Sequence, residues 1–172
     1  MRQALSRLSA DGRIRRVMHG VYDYPAYSRV RQGPASPNPD AIARAIARAH
    51  GWTLVPSGET ALNLLGLSTQ VPARWLYFSD GPTKTYEWEG GALHFRRRTN
   101  KETGKLSPKT ALLVQALKAL GEAHVDEWVL ETLRSRLTAK ERARAFREAR
   151  YVTAWVYAII KRLAIEGDAP DA

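Results

Sequence analysis

Arg13, Arg15 and Arg16 crowd into the stretch SADGRIRRVMHGVYDYP, between an Asp-Gly pair that stops a helix and two tyrosines that favour extended chain. A guanidinium is a planar fork that grips a phosphate, or the edge of a guanine, at two points. Three of them in one short hairpin suit a nucleic-acid backbone. Each phosphate neutralised releases condensed counterions, so such binding weakens steeply with salt. A solvated, charged hairpin capping a larger domain is the alternative. A second basic run, GGALHFRRRTN, puts Arg96 and Arg98 on one side of a strand and Arg97 on the other. With Lys101, Lys105 and Lys109 it forms a secondary basic patch suited to a DNA backbone or an RNA; equally, its charges could protect an edge strand from aggregation.

Other reactive side chains offer less. Asp80, Glu87 and Glu89 lie near Lys84, the raw material of a metal-dependent nuclease, although Asp80-Gly81-Pro82 is a turn signal in its own right. His19, His50, His94 and His124 have neither i, i+4 nor paired spacing, so no zinc motif is present and surface or capping places are expected. The absence of cysteine removes disulfides, thiolate metal sites and a thiol nucleophile. No metal, no other cofactor and no catalytic activity are expected.

The global balance points the same way as the arginines. Lys plus Arg number 27 against 17 for Asp plus Glu, a net charge of +10, which favours a polyanionic partner. A chain of 172 residues suffices for one domain with a small appendage. No apolar run approaches the roughly 20 residues that span a bilayer, and no hydrophobic signal core follows Arg2 and Arg7. A soluble, cytoplasmic protein without membrane contact is expected.

The elements that must position these residues follow from periodicity. Arg2 to Ala10 carries Leu5 and Leu8 on one helical stripe, with Gly12 as its stop. Ile14 and Val17 flank arginines, Met18-His19-Gly20 offers a turn, and Val21, Tyr22 and Tyr24 supply a second strand. Helix followed directly by an arginine-bearing hairpin is the latter half of a winged helix-turn-helix, in which the helix enters the major groove and the wing lies on phosphates. Two further helices precede these in a complete module, so a partial one is expected. PAYSRVRQGPASPNP reads as a linker. NPDAIARAIARAHG is a helix capped by Asn38 or Asp40 and closed by Gly51; TLVPSGETALNLLGL is a strand, a Ser57 cap and a helix. RWLYFSDG is a buried strand, and TKTYEWEGGALHFRRRT alternates as a hairpin about Gly90-Gly91. From Ser107 onward the pattern is helical, with Trp128 and Trp155 expected in the core and Arg142, Arg144, Arg147 and Arg150 on a salt-bridged solvent face with Glu141 and Glu148. The order of elements predicts an α+β fold.

ALSRLSADGRIRRVMHGVYDYP, followed after a linker by VPSGETALNLLGLSTQVPARWLYFSDGPTK, resembles the AbiEi-type antitoxins of type IV toxin–antitoxin systems. The resemblance covers most of the chain, is strongest over Leu5 to Pro25 and Pro56 to Gly81, and thins after Thr110. It implies a partial winged-helix unit at 1–27, a linker at 28–39, an antitoxin domain of mixed α and β structure ending in a helical bundle at 40–166, and a disordered tail at 167–172. It further implies a transcriptional autorepressor that binds double-stranded operator DNA and counteracts a nucleotidyltransferase-like toxin, active in phage abortive infection, without needing a stable complex with it. On this resemblance Gln3, Ser6 and Arg7 face the major groove, and Arg13, Arg15, Arg16 and His19 form the wing. A metal-dependent nuclease and a basic adaptor for RNA or protein are the alternatives.

Overall fold

The structure, a computed structural model, describes residues 2–30, 32–98 and 106–165; the expected tail at 167–172 lies outside them. The fold is α+β. Helix α1 (Arg2–Ala10) leads into a hairpin of β1 (Arg15–Met18) and β2 (Val21–Asp23) that turns at His19-Gly20. The segment expected as a plain linker, 28–39, takes part in a small ladder between β3 (Tyr27–Ser28) and β4 (Gly33–Pro34). Its last residue already opens α2 (Pro39–His50), where Asn38 accepts the N–H groups of Asp40 and Ala41 and Pro39 occupies the first turn, which needs no donor.

A four-stranded sheet follows, ordered β5, β6, β8, β7: β5 (Leu54–Pro56), β6 (Trp75–Ser79), β7 (Lys84–Trp88) and β8 (Gly91–Arg97). The hairpin about Gly90-Gly91 forms as its alternation predicts. Its second strand then inserts beside β6 in parallel, with Trp75 opposite Leu93 and Tyr77 opposite Phe95, leaving β7 at the edge. Those four side chains project to one face and are buried against Ile42, Ala43 and Ile46 of α2. Phe95 meets Trp52, Tyr77 and Tyr86 edge-on, an arrangement that places ring edges on electron-rich faces. The Tyr77 hydroxyl donates to Asp40 at 3.1 Å. Burial first, then the Asp40 carboxylate, push that phenol well above its ordinary range.

The remaining helices build a second core. Helices α3 (Glu59–Leu64), α4 (Pro108–Leu120), α5 (Glu127–Arg136), α6 (Ala139–Glu148) and α7 (Ala154–Ile165) contribute or flank Leu65, Leu117, Leu130, Leu133, Ala145 and Ile160, all essentially inaccessible. Leu64 packs against both cores. The cap expected at Ser57 is absent: Gly58 stands at the N-cap of α3, while Ser57 is buried and its hydroxyl faces Gln115 of α4. Trp128, expected in the core, is 57% exposed because it lies one position ahead of the buried stripe of Val129, Leu130 and Leu133. Arg142 departs from the expected solvent face as well. It is buried, and donates to the Leu137 carbonyl at the end of α5, where a cation meets the negative end of the helix.

Glu148 ties α6 to the start of α4. Its carboxylate accepts the N–H and hydroxyl of Ser107 at 2.8 and 2.7 Å, and the Arg144 guanidinium at 2.6 Å. Burial opposes ionisation, but these bonds and one from Thr110 outweigh it and hold the carboxyl at about 2. Since the folded value lies below the ordinary 4.5, the ionised group stabilises the fold fully above that pH, and its contribution is lost as pH falls toward 2. Glu148→Gln is expected to lower stability at neutral pH and to flatten the acid limb of a pH series of urea denaturations in that window. An acid limb identical to that of the parent chain would reject this assignment.

Candidate nucleic-acid interface

Gln3, Ser6 and Arg7 are exposed, and their spacing puts them on one face of α1, while Leu5 and Leu8 on the other side are half-buried. The helix ends without a spacer. Its Leu8 carbonyl accepts the N–H groups of Arg13 and Ile14, and Gly12 supplies the left-handed turn that lets the chain reverse. Arg13 thus starts the hairpin at the carbonyl end of α1, where positive charge is favoured.

The hairpin is irregular in a way that decides the fate of each arginine. Met18 pairs with Val21, but Arg16 pairs with Tyr22 and Arg15 with Asp23, so Val17 is the extra residue of a bulge. The bulge lets two successive apolar residues, Val17 and Met18, pack with Val21 against the sheet core. It also moves Arg15 from opposite Tyr24 to opposite Asp23. The Arg15 guanidinium binds both Asp23 oxygens, at 3.1 and 2.7 Å, and the Ala35 carbonyl at 2.9 Å. The bond to Asp23, opposed by burial and reinforced by the carboxylate charge, raises its pKa further. Arg15 is therefore committed within the protein, and it ties the hairpin to the β4 segment.

Arg13 and Arg16 remain exposed. Arg16 also lines a polar cleft of about 460 Å³ that reaches Trp88 and Glu89 at the far turn of the sheet. His19, exposed at the hairpin tip, borders an apolar cleft of about 400 Å³ shared with Leu5, Ala45, His50 and Tyr86. The structure thus brings Gln3, Ser6, Arg7, Arg13 and Arg16 onto one helix–hairpin unit and separates Arg15 from them. Asp23, the residue responsible, carries no motif of its own; opposite charges on the two strands of a short hairpin are the signal that points to it.

The second basic run lies on β8 and just beyond. Arg96 and Arg98 are exposed; Lys101 and Lys105 lie outside the described residues. Because β8 sits between β6 and β7, an edge-protecting role does not apply to Arg96 and Arg97. Among the described residues, no group of three His, Asp or Glu side chains is placed to hold a metal. Asp80 instead accepts the Thr53 N–H at 2.8 Å, and Lys84 lies over the Tyr86 ring. His50 and His124 each approach the carbonyl four residues earlier, near the ends of α2 and α4.

Residues 1–145 match a family of unknown function, DUF6088. No curated protein and no solved structure matches the chain.

Removing one partner of a two-point ion pair strands the other. With these side chains 32% and 24% exposed, solvent screens part of the loss. Arg15→Ala is expected to destabilise the fold by about 1–2 kcal/mol in chemical denaturation, whereas Arg13→Ala and Arg16→Ala should stay within about 0.5 kcal/mol. Equal effects at all three positions would overturn the division between them.

Proposed function

We propose that this chain, which belongs to the DUF6088 family, is a DNA-binding regulator of the antitoxin type that acts by binding rather than by catalysis. The observation that carries this reading is the exposure of Arg7, Arg13 and Arg16 around one short helix and its hairpin, with Gln3 and Ser6 on the same helical face as Arg7. Among the described residues, none of the three arginines meets a carboxylate. Their desolvation on binding a phosphate therefore breaks no internal pair. The net charge of +10 adds a long-range attraction that speeds encounter with a polyanion.

In this reading α1 presents Gln3, Ser6 and Arg7 to base edges. A glutamine amide matches adenine N6 and N7, and an arginine fork matches guanine O6 and N7. Arg13 and Arg16 hold phosphates and set the register, with His19 beside them at the hairpin tip. Arg15 contributes indirectly: locked to Asp23, it keeps the hairpin in the register that leaves its neighbours outward. The likeness to AbiEi-type antitoxins extends the proposal to autorepression of an operon, in the cytoplasm, that also encodes a nucleotidyltransferase-like toxin. Among the described residues, no helix is long and apolar enough to cross a membrane.

The test is a salt titration of binding to duplex DNA by the parent chain and by the combined variant Arg7→Ala, Arg13→Ala, Arg16→Ala. Each lost phosphate contact should reduce the slope of log K against log salt by about 0.9, with weaker affinity for every sequence. Gln3→Ala should instead narrow the difference between preferred and random duplexes. A combined variant with unchanged affinity and slope would reject the interface.

A further inference from the structure

The sheet has a second face that neither hydrophobic core uses. Parallel pairing sets Leu76 beside His94 and Phe78 beside Arg96, and antiparallel pairing sets Thr85 beside His94 and Val55 beside Phe78. Paired residues project to the same side, so these six form one surface. Its apolar members belong to neither core, not even as partly buried neighbours. Thr85 and Arg96 are exposed; Phe78 and His94 are half-buried.

Two contacts give this surface a chemistry. The Arg98 guanidinium lies over the Phe78 ring at 4.6 Å from its centroid, and Arg98 is itself exposed. The Thr85 hydroxyl and the His94 ring nitrogen Nδ1 are 2.9 Å apart, across the β8–β7 pairing at the edge of the sheet. Among the described residues, neither Arg96 nor Arg98 meets a carboxylate. Among the described residues of the four strands the acid is Glu87, which is paired with Ala92 near the start of β8; Phe78 and the two arginines gather where β6 and β8 end, and Asp80 just beyond β6 accepts the Thr53 N–H.

We propose that this face binds single-stranded RNA, independently of the helix–hairpin unit. A planar stack of phenyl and guanidinium accepts any unpaired base, which a duplex keeps hidden between its neighbours. Arg96, opposite Phe78, holds the adjoining phosphate. The Thr85–His94 pair supplies a donor and an acceptor beside the stack, suited to the 2′-hydroxyl that distinguishes RNA from DNA. Glu87 repels the backbone and confines the strand to the end of the sheet where Phe78 lies.

Fluorescence anisotropy with a labelled oligouridylate of about a dozen nucleotides, the matching oligodeoxyuridylate, and a duplex of equal length tests this. The RNA strand is expected to bind more tightly than its deoxy counterpart. Phe78→Leu, which keeps apolar volume but loses the ring, and Arg98→Lys, which keeps the charge but loses the plane, should each weaken RNA binding by about tenfold. Arg98→Lys should leave the salt slope unchanged, and Arg96→Ala should lower it by about 0.7. Arg7→Ala, Arg13→Ala, Arg16→Ala should bind the RNA as the parent does, so this proposal and the duplex interface can fail separately. No binding of the RNA by the parent chain, equal binding of the deoxy strand, or parent-like affinity in both Phe78→Leu and Arg98→Lys, with thermal unfolding unchanged, would overturn it.

Discussion

The contact between Phe95 and the three rings around it holds the N-terminal half together. Trp52 comes from the chain just after α2, Tyr77 from β6 and Tyr86 from β7, so one buried phenyl fixes three separate segments. Apolar interiors pack almost as densely as organic crystals, and a shift at such a point passes directly to its neighbours. The hairpin leans on this cluster through Val17, Met18 and Val21. The exposed arginines are thus positioned by an apolar contact in which they take no part. The same contact makes the sheet one-sided: Leu93, Phe95, Trp75 and Tyr77 are turned toward α2, and the opposite face keeps its own collection of Phe78, His94 and Arg96.

Among the described residues, two groups of arginines differ in what they touch. Arg15 binds Asp23, Arg44 binds Asp40, Arg144 binds Glu148, and Arg142 closes the end of α5. These serve the fold, and their positive charge is already met by a carboxylate or by a helix terminus. Arg7, Arg13, Arg16, Arg96 and Arg98 meet no carboxylate among the described residues. A charge that costs nothing internal to redirect is the one available to a polyanion, and these five lie in two small areas, around α1 with its hairpin and at the end of β8. The two areas also differ in kind. Around α1 the charges surround a polar helix face, whereas on the sheet they accompany a ring and a hydroxyl, and these suit paired and unpaired nucleic acid respectively.

Much of the molecule was legible in its residues because the relevant signals are local. The Leu5 and Leu8 spacing, the Asn38 cap before Pro39, the left-handed Gly51, and the alternation around Gly90-Gly91 each act within a few residues, and the elements follow them. The exposed positions of Gln3, Ser6, Arg7, Arg13 and Arg16 follow from the same periodicities. What periodicity could not supply was the partner of each side chain. Trp128 reads as core by composition yet sits one helical position away from the buried stripe. Arg142 reads as surface yet finds a carbonyl five residues back along the chain.

The amino-acid order alone settled the α+β class, the helix-then-hairpin sequence at the start and the helical run after Ser107, since capping, turn and period-two signals need no distant contact. Tertiary structure decided the rest through two events. A bulge at Val17, made worthwhile by burying both Val17 and Met18 against a sheet formed far along the chain, shifted Arg15 by one position onto Asp23. Insertion of β8 between β6 and β7 placed Phe78, Arg96 and Arg98 together, a parallel pairing fixed by long-range packing rather than by any feature of either strand.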